Sequence, residues 1–415
     1  MEVDLAKPLA SKFNFLAYTT ITLIGLLGLS ACGEKAKVET ATFPKTKAEC
    51  AATAVPDSYV VQWKDGTVSV TRGWTREEFE NEIFEPYKDD IRWAEQDQFV
   101  RAAPTSAQVS TQTSPDDSWG QLKTSAATAW GRGVLGEGIT VAVIDSGVDI
   151  THPQLRGQLA VNANEIPANG IDDDENGYID DVHGWDFDED QPVVSDSAGH
   201  GTHVAGIILA QHGTSAVQGI APGAKLLPLD FMNAEGQGNI GDAILAIQYA
   251  ADQGARVINA SWGGAPCSQT LSRTIADLES RGVLFIAAAG NSGVDLEQLP
   301  EYPAAFVISN QITVGASTAR DYTAGFSNYS YRLVHLFAPG ASILSTYPGN
   351  RLASLSGTSM AAPFVAGAAA LLMSANPGAS PAQIRSALLD SVDPGAFAAT
   401  TRGRLNIPRA LDSLR

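Results

Sequence analysis

Cysteine is nearly missing, with three residues in a chain of 415. So small a number excludes a disulfide framework, and leaves an apolar core, with or without bound metal, to hold the molecule together. Positive charge is also scarce: 27 lysines and arginines face 46 acidic residues, a formal net charge of −19. Binding a polyanion needs concentrated Lys and Arg, so nucleic acid is excluded as a partner. The acidity instead suits solubility or the binding of divalent cations. Charged residues make up only 18% of the chain and hydrophobic ones 44%, which excludes a disordered or fibrous protein and supplies one large core with smaller appendages. Low-complexity tracts are absent as well. The 39 glycines sit mostly in short motifs between apolar runs, where they mark tight turns and close backbone approach.

Lys7 and Lys12 precede an apolar run over residues 13–29, about as long as a signal-peptide core and short for a membrane span. It ends in Leu29-Ser30-Ala31-Cys32-Gly33, which resembles a bacterial lipoprotein signal. That resemblance implies removal of residues 1–31, lipidation of Cys32 and an outer-membrane destination; an ordinary signal peptide or uncleaved anchor is the alternative. Cys50 and Cys267 remain, and no pairing between them is expected.

After a polar stretch over 32–56, residues 57–101 read as a small strand-helix-strand unit. Residues 59–63 alternate, Thr75 and Glu78 form a capping box, and residues 91–100 are extended again. Residues 102–118, rich in Ser, Thr, Gln and Pro, read as a linker too polar to order itself. From 119 to 415 the pattern changes. Residues 139–144, 226–232, 256–262 and 283–289 are short continuous apolar runs, as expected of strands buried on both faces of a parallel sheet. Helical segments over 200–211, 240–251, 271–281, 359–374 and 381–391 separate or follow them. This alternation predicts an α/β fold, a doubly wound and mostly parallel sheet with helices on both faces, behind a small α+β domain. No further domain is expected after the core.

Three segments carry chemistry. Val141-Ala142-Val143-Ile144-Asp145-Ser146-Gly147 places a carboxylate directly after a buried strand, where open α/β sheets build their sites. His200-Gly201-Thr202-His203 sets an imidazole at a helix entrance, available as a general base. Gly357-Thr358-Ser359-Met360-Ala361-Ala362-Pro363 sets a hydroxyl at a helix N-terminus, where free amides favour developing negative charge. Each alone has a plain structural explanation: a cap, a packed histidine, a turn.

Together, in the order Asp, His, Ser, the three segments resemble the subtilisin-like serine protease family from about residue 119 to the end. The resemblance implies a serine endopeptidase in which Asp145 orients His200, His200 takes a proton from Ser359, and Ser359 forms an acyl-enzyme. His203 is then structural. Ala287-Ala288-Ala289-Gly290-Asn291 matches the segment whose asparagine completes the oxyanion hole. Gly236, Gln237 and Gly238, with Ser261, Trp262, Gly263 and Gly264, and with Ala288 and Gly290, match the backbone that holds an extended peptide. The expected partners are therefore extended polypeptides and no nucleic acid, with membrane contact only through the lipid on Cys32.

The acidic run over 172–181 offers oxygen ligands at alternate positions, with Gly177 at the sixth place, where a calcium loop turns sharply. Asp172, Asp174, Asn176, Asp180 and Asp181 are the expected ligands of a structural Ca2+, because His183 stands where an EF-hand would place its glutamate. Residues 57–101 resemble the family's inhibitory propeptide, ending in Trp93-Ala94-Glu95-Gln96-Asp97. That implies a zymogen whose own propeptide is an intramolecular inhibitor, cut within residues 102–118. Cys32 lies on the propeptide side of that cut, so processing would free the protease from its lipid and release it outside the cell. Two other classes fit parts of the pattern: a catalytically silent peptide-binding protein, and an esterase with the same triad. The second lacks the Gly-x-Ser-x-Gly elbow of α/β-hydrolases.

Overall fold

The computed structural model describes residues 53–102, 108–110, 118–192, 194–213, 217–264 and 268–414. The signal segment, Cys32, Cys50 and Cys267 lie outside the described residues. The chain divides into two compact units, one over Pro56–Gln96 and the other over Asp97–Arg415 with the residues just before Pro56.

In the first unit, strand Ala54–Trp63 enters and pairs antiparallel with Val68–Arg72. A continuous helical stretch follows, Arg76–Phe79, Glu80–Phe84 and Glu85–Tyr87, and then a strand that starts at Ile91. The expected capping box forms: Glu78 N–H donates to Thr75 Oγ1 and Thr75 N–H to Glu78 Oε2. Tyr59 stacks on Phe79 with ring centroids 4.3 Å apart, inside a core completed by Val61, Trp63, Ile83, Phe84 and Ile91. This unit ends at Gln96, and residues from Asp97 onward bond within the second unit.

The second unit is built on a nine-stranded sheet. Seven of its members, Trp185–Asp186, Lys225–Asp230, Thr140–Asp145, Val257–Ala260, Leu284–Ala288, Gln311–Ser317 and Leu336–Pro339, lie side by side in that order, all parallel. A short antiparallel pair, Gly403–Arg404 and Asp393–Pro394, closes the edge. The runs expected as buried strands are strands, and every side chain of Leu284–Ala288 and Gln311–Ser317 is buried. Helices Ile240–Asp252 and Gln269–Asp277 pack together; His200–Leu209, Thr358–Ala375, Pro381–Asp390 and Ile407–Ser413 form another group. Among the described residues, Thr358–Ala375 is the one helix long and apolar enough to cross a membrane, and it is the buried core helix, as its composition predicts.

The linker departs from expectation. Gln108–Ser110 forms a strand, pairing antiparallel with Arg351–Leu355, which itself pairs with Ile343–Tyr347. Backbone hydrogen bonds to a hairpin edge order this piece, and they need no apolar side chains.

Candidate active site

Asp145 is the last residue of the strand Thr140–Asp145, which lies between Lys225–Asp230 and Val257–Ala260 near the middle of the sheet. It is fully buried. His200 is the first residue of its helix, behind Gly199 at φ 84°. Its Nδ1 donates to Asp145 Oδ1 at 2.6 Å, and Ser146 N–H donates to the same oxygen at 2.9 Å. The imidazole is thereby fixed with Nε2 as the basic nitrogen, as a general base requires. Burial opposes its charge, yet Asp145, through charge and hydrogen bond, and Asp196 more than offset this and raise its pKa above the ordinary value of 6.5.

Ser359 stands in the first turn of Thr358–Ala375. Its Oγ donates to the carbonyl of Ser261 at 3.0 Å, while His200 Nε2 has no hydrogen-bond partner. The expected hydrogen-bonded line is therefore formed from Asp145 to His200 but not from His200 to Ser359; the hydroxyl is turned toward Ser261. Turning a serine hydroxyl from one acceptor to another needs only side-chain rotation between staggered wells. Catalytic hydrogen bonds commonly tighten only when substrate arrives.

Asn291 follows the strand Leu284–Ala288 by three residues. Its Oδ1 accepts from both the backbone N–H and Oγ1 of Thr358, at 2.8 and 3.0 Å. That anchors the amide oxygen beside the helix that carries Ser359, leaving Nδ2 as the donating end. Thr358 Oγ1 accepts in turn from Gly290 N–H at 3.0 Å, and Ser261 Oγ donates to the Ser359 carbonyl at 2.9 Å. Reading the sequence did not single out Thr358, although its place between Gly357 and the nucleophile was a signal.

The residues matched to peptide binding form two strand edges with chain between them. Phe99, Val100 and Arg101 pair antiparallel with Asn239, Gly238 and Gln237, and Arg101 and Ala102 pair with Gly263 and Trp262. Ala102 N–H donates to the Gly236 carbonyl at 2.9 Å. Asp97 Oδ1 accepts from Gly241 N–H at 2.9 Å. Trp262 is buried, its indole N–H donating to the Ile144 carbonyl at 2.9 Å, which ties this edge to the strand bearing Asp145. Gly264 N–H donates to the Tyr302 carbonyl at 2.9 Å. Ala288 and Gly290 line a pocket beside Ser359 together with Glu301, Tyr302 and Ala304.

His203 is buried, and its Nε2 lies 3.0 Å from the carbonyls of both Ile343 and Ala353. Burial lowers its pKa to about 3, so it is neutral and structural, as expected. Two more carboxyls crowd Asp145. Burial raises Asp196 to about 6, against hydrogen bonds from Thr202 and Gly199. Burial, with the charges of Asp186, Asp196 and Asp145, raises Asp230 to about 9. Asp230, the register partner of Asp145, is therefore uncharged at neutral pH, and this removes a repulsion beside the histidine's partner.

In the acidic loop the structure regroups the expected ligands. Carboxylate oxygens of Glu165, Asp172 and Asp174 lie within 4.8 Å of one another. Asp180 instead accepts from Asn169 and Gly170 N–H, and buried Asp181 accepts from Asn162 and Asn176 side chains and the Tyr249 hydroxyl. Asn176 Oδ1 accepts from Tyr178 N–H. Glu165 was not expected, since it lies seven residues ahead of the acidic run. Its Oε1 and Oε2 accept from the N–H groups of Asp173 and Asp180, which folds the loop back onto it. Three converging carboxylates with no ion pair among the described residues form a hard oxygen set that fits Ca2+.

A doubly wound sheet with a buried Asp–His pair at a strand end and a serine in the first turn of a buried helix is the pattern of a serine hydrolase. The subtilase family model matches residues 136–410, and the chain belongs to that family. It is 38% identical over 268 residues to subtilisin BL of Lederbergia lenta, covering 65% of this chain and 88% of that one. It is 36% identical to thermitase of Thermoactinomyces vulgaris, covering 71% and 95%. Among solved structures, a cold-adapted subtilisin-like serine proteinase matches with a TM-score of 0.55 and 31% identity, over 66% of this chain and 90% of that one. The protein is a serine endopeptidase, which sets aside the silent and esterase alternatives.

Proposed function

We propose that Ser359 is the nucleophile, His200 the general base, Asp145 its orienting acid and Asn291, with the Ser359 backbone N–H, the oxyanion donor. On this reading a peptide lies as an extended strand between Gln237–Asn239 and Trp262–Gly263. The Ser359 hydroxyl leaves the Ser261 carbonyl, gives its proton to His200 Nε2 and attacks the scissile carbonyl, and the leaving amine takes that proton before water hydrolyses the acyl-enzyme. The observation that carries this reading is the antiparallel pairing of Phe99–Ala102 with both edges, since it is the geometry a substrate strand would take.

The same pairing supports a zymogen in which residues 57–101 act as an intramolecular inhibitor and are cut off within the linker 102–118. The acidic cluster supports a structural Ca2+ held by Glu165, Asp172 and Asp174. The sequence around Cys32 supports export as a lipoprotein from which cutting frees the protease. The test is to express the full chain as wild type and as Ser359→Ala. Wild type should lose mass at the linker, digest casein and react with a fluorophosphonate; Ser359→Ala should stay uncut, inert and in the membrane fraction. Equal processing and equal membrane retention of both would reject the nucleophile and the release.

A further inference from the structure

The pocket beside Ser359 is walled by two backbone segments, Ser261-Trp262-Gly263 and Ala288-Ala289-Gly290, and by Tyr302, Ala304 and Thr358. It opens at Ser359 and lies along the edge that bonds an extended chain, so it is placed to take a side chain of a peptide held there. Its walls are neutral and mostly small, with one exception: Glu301. The enclosed space is small, about 30 Å3, and part of the surrounding room is open to solvent.

Three observations describe the Glu301 carboxylate in this pocket. Ser292 Oγ donates to its Oε1 at 2.7 Å. A Cβ at Gly290, here at φ 99°, would come to 2.2 Å from Glu301 Oε2, which places the carboxylate against that wall. And no Lys or Arg is among the described residues that line the pocket. A half-buried anion whose near walls offer it one hydroxyl and no cation is completed by a cation brought from outside.

We infer that Glu301 is a specificity determinant and that this protease prefers to cut after Lys or Arg. The aliphatic stem would run between the glycine-lined walls, and the ammonium or guanidinium would meet the carboxylate. The inference rests on the proposed role of Ser359. A neutral side chain leaves the carboxylate unpaired, and an acidic one adds repulsion, so discrimination arises against both.

The test uses protein purified after expression of the full chain, with peptide substrates that differ only in the residue before the scissile bond: Lys, Arg, Gln, Leu, Phe or Glu. Wild type should favour Lys and Arg over Gln by about 10- to 100-fold in kcat/KM, and Glu should be the poorest. Glu301→Gln should collapse the Lys-to-Gln ratio toward one, and Glu301→Lys should invert it toward Glu. Benzamidine should inhibit wild type competitively against the Lys substrate, a measurement that needs no variant to fold. Reaction with fluorophosphonate together with a preference for Leu or Phe that Glu301→Gln leaves in place would overturn the Glu301 role alone. Failure of Ser359 to react at all would overturn both readings.

Discussion

At the scale of single residues, the proposed roles divide the site into groups that are already in place and one that would have to move. Asp145 and His200 are joined at 2.6 Å, and Asn291 is anchored through Thr358, whereas the Ser359 hydroxyl still faces the Ser261 carbonyl. Preorganised donors contribute most where charge develops late, so Asn291→Ala should lower kcat by about a hundred- to a thousandfold with little change in KM. Steady-state kinetics on a peptide amide check this, and an unchanged kcat would remove Asn291 from the oxyanion hole. The raised pKa of His200 sets a second expectation. As the proposed base, His200 would have to be neutral to act, so kcat/KM should fall as pH drops through a value above 6.5; an acid limb centred below 6.5 would contradict the influence of Asp145. The stability linkage has the opposite sense. The gain from protonated His200 is complete below the unfolded value of 6.5 and disappears as pH rises through the raised folded value.

At the scale of elements, a strand end and two helix starts carry the proposed reacting groups, and Gly201 lets the first helix approach the strand end. A Cβ at Gly201 would lie 2.0 Å from the Gly147 carbonyl and 3.2 Å from Asp145 Cβ. Gly201→Ala should therefore part the strand end from the helix and cut kcat about 10- to 100-fold, with a lower Tm; wild-type kinetics in that variant would show that the close approach is dispensable. The strands nearest the site were legible because both their faces are buried, which writes itself as continuous apolar runs at 139–144, 226–232 and 283–289. Other elements were less so. Gln311–Ser317 is wholly buried yet contains Gln311, Thr313 and Ser317, whose polar groups break the run that marks a core strand. Gln108–Ser110 is ordered by backbone pairing, for which composition carries no signal. Glu165 and Glu301 were missed for a related reason: each reaches its cluster through loop geometry, not through periodic spacing.

At the scale of the whole molecule, stability without a disulfide framework rests on the core around Thr358–Ala375 and, in our reading, on an ion in the acidic loop. Chelation by EDTA should lower Tm by about 5 °C or more, and added Ca2+ should restore it. Glu165→Gln should blunt that response, whereas a Tm indifferent to EDTA and Ca2+ would leave the loop a purely hydrogen-bonded fold. Calorimetry of the full chain with and without chelator decides between them.

Asp145, His200 and Ser359 come from three widely separated stretches of one polypeptide, a strand of the nine-stranded sheet and the starts of two helices. A chain still being folded, lacking its later helix, owns a histidine and an acid but no attacking oxygen beside them. On the proposed roles, cutting power would arrive only with the last of the three segments, so half-made copies would spare their neighbours during the interval when exposed, flexible backbone makes those neighbours the easiest prey.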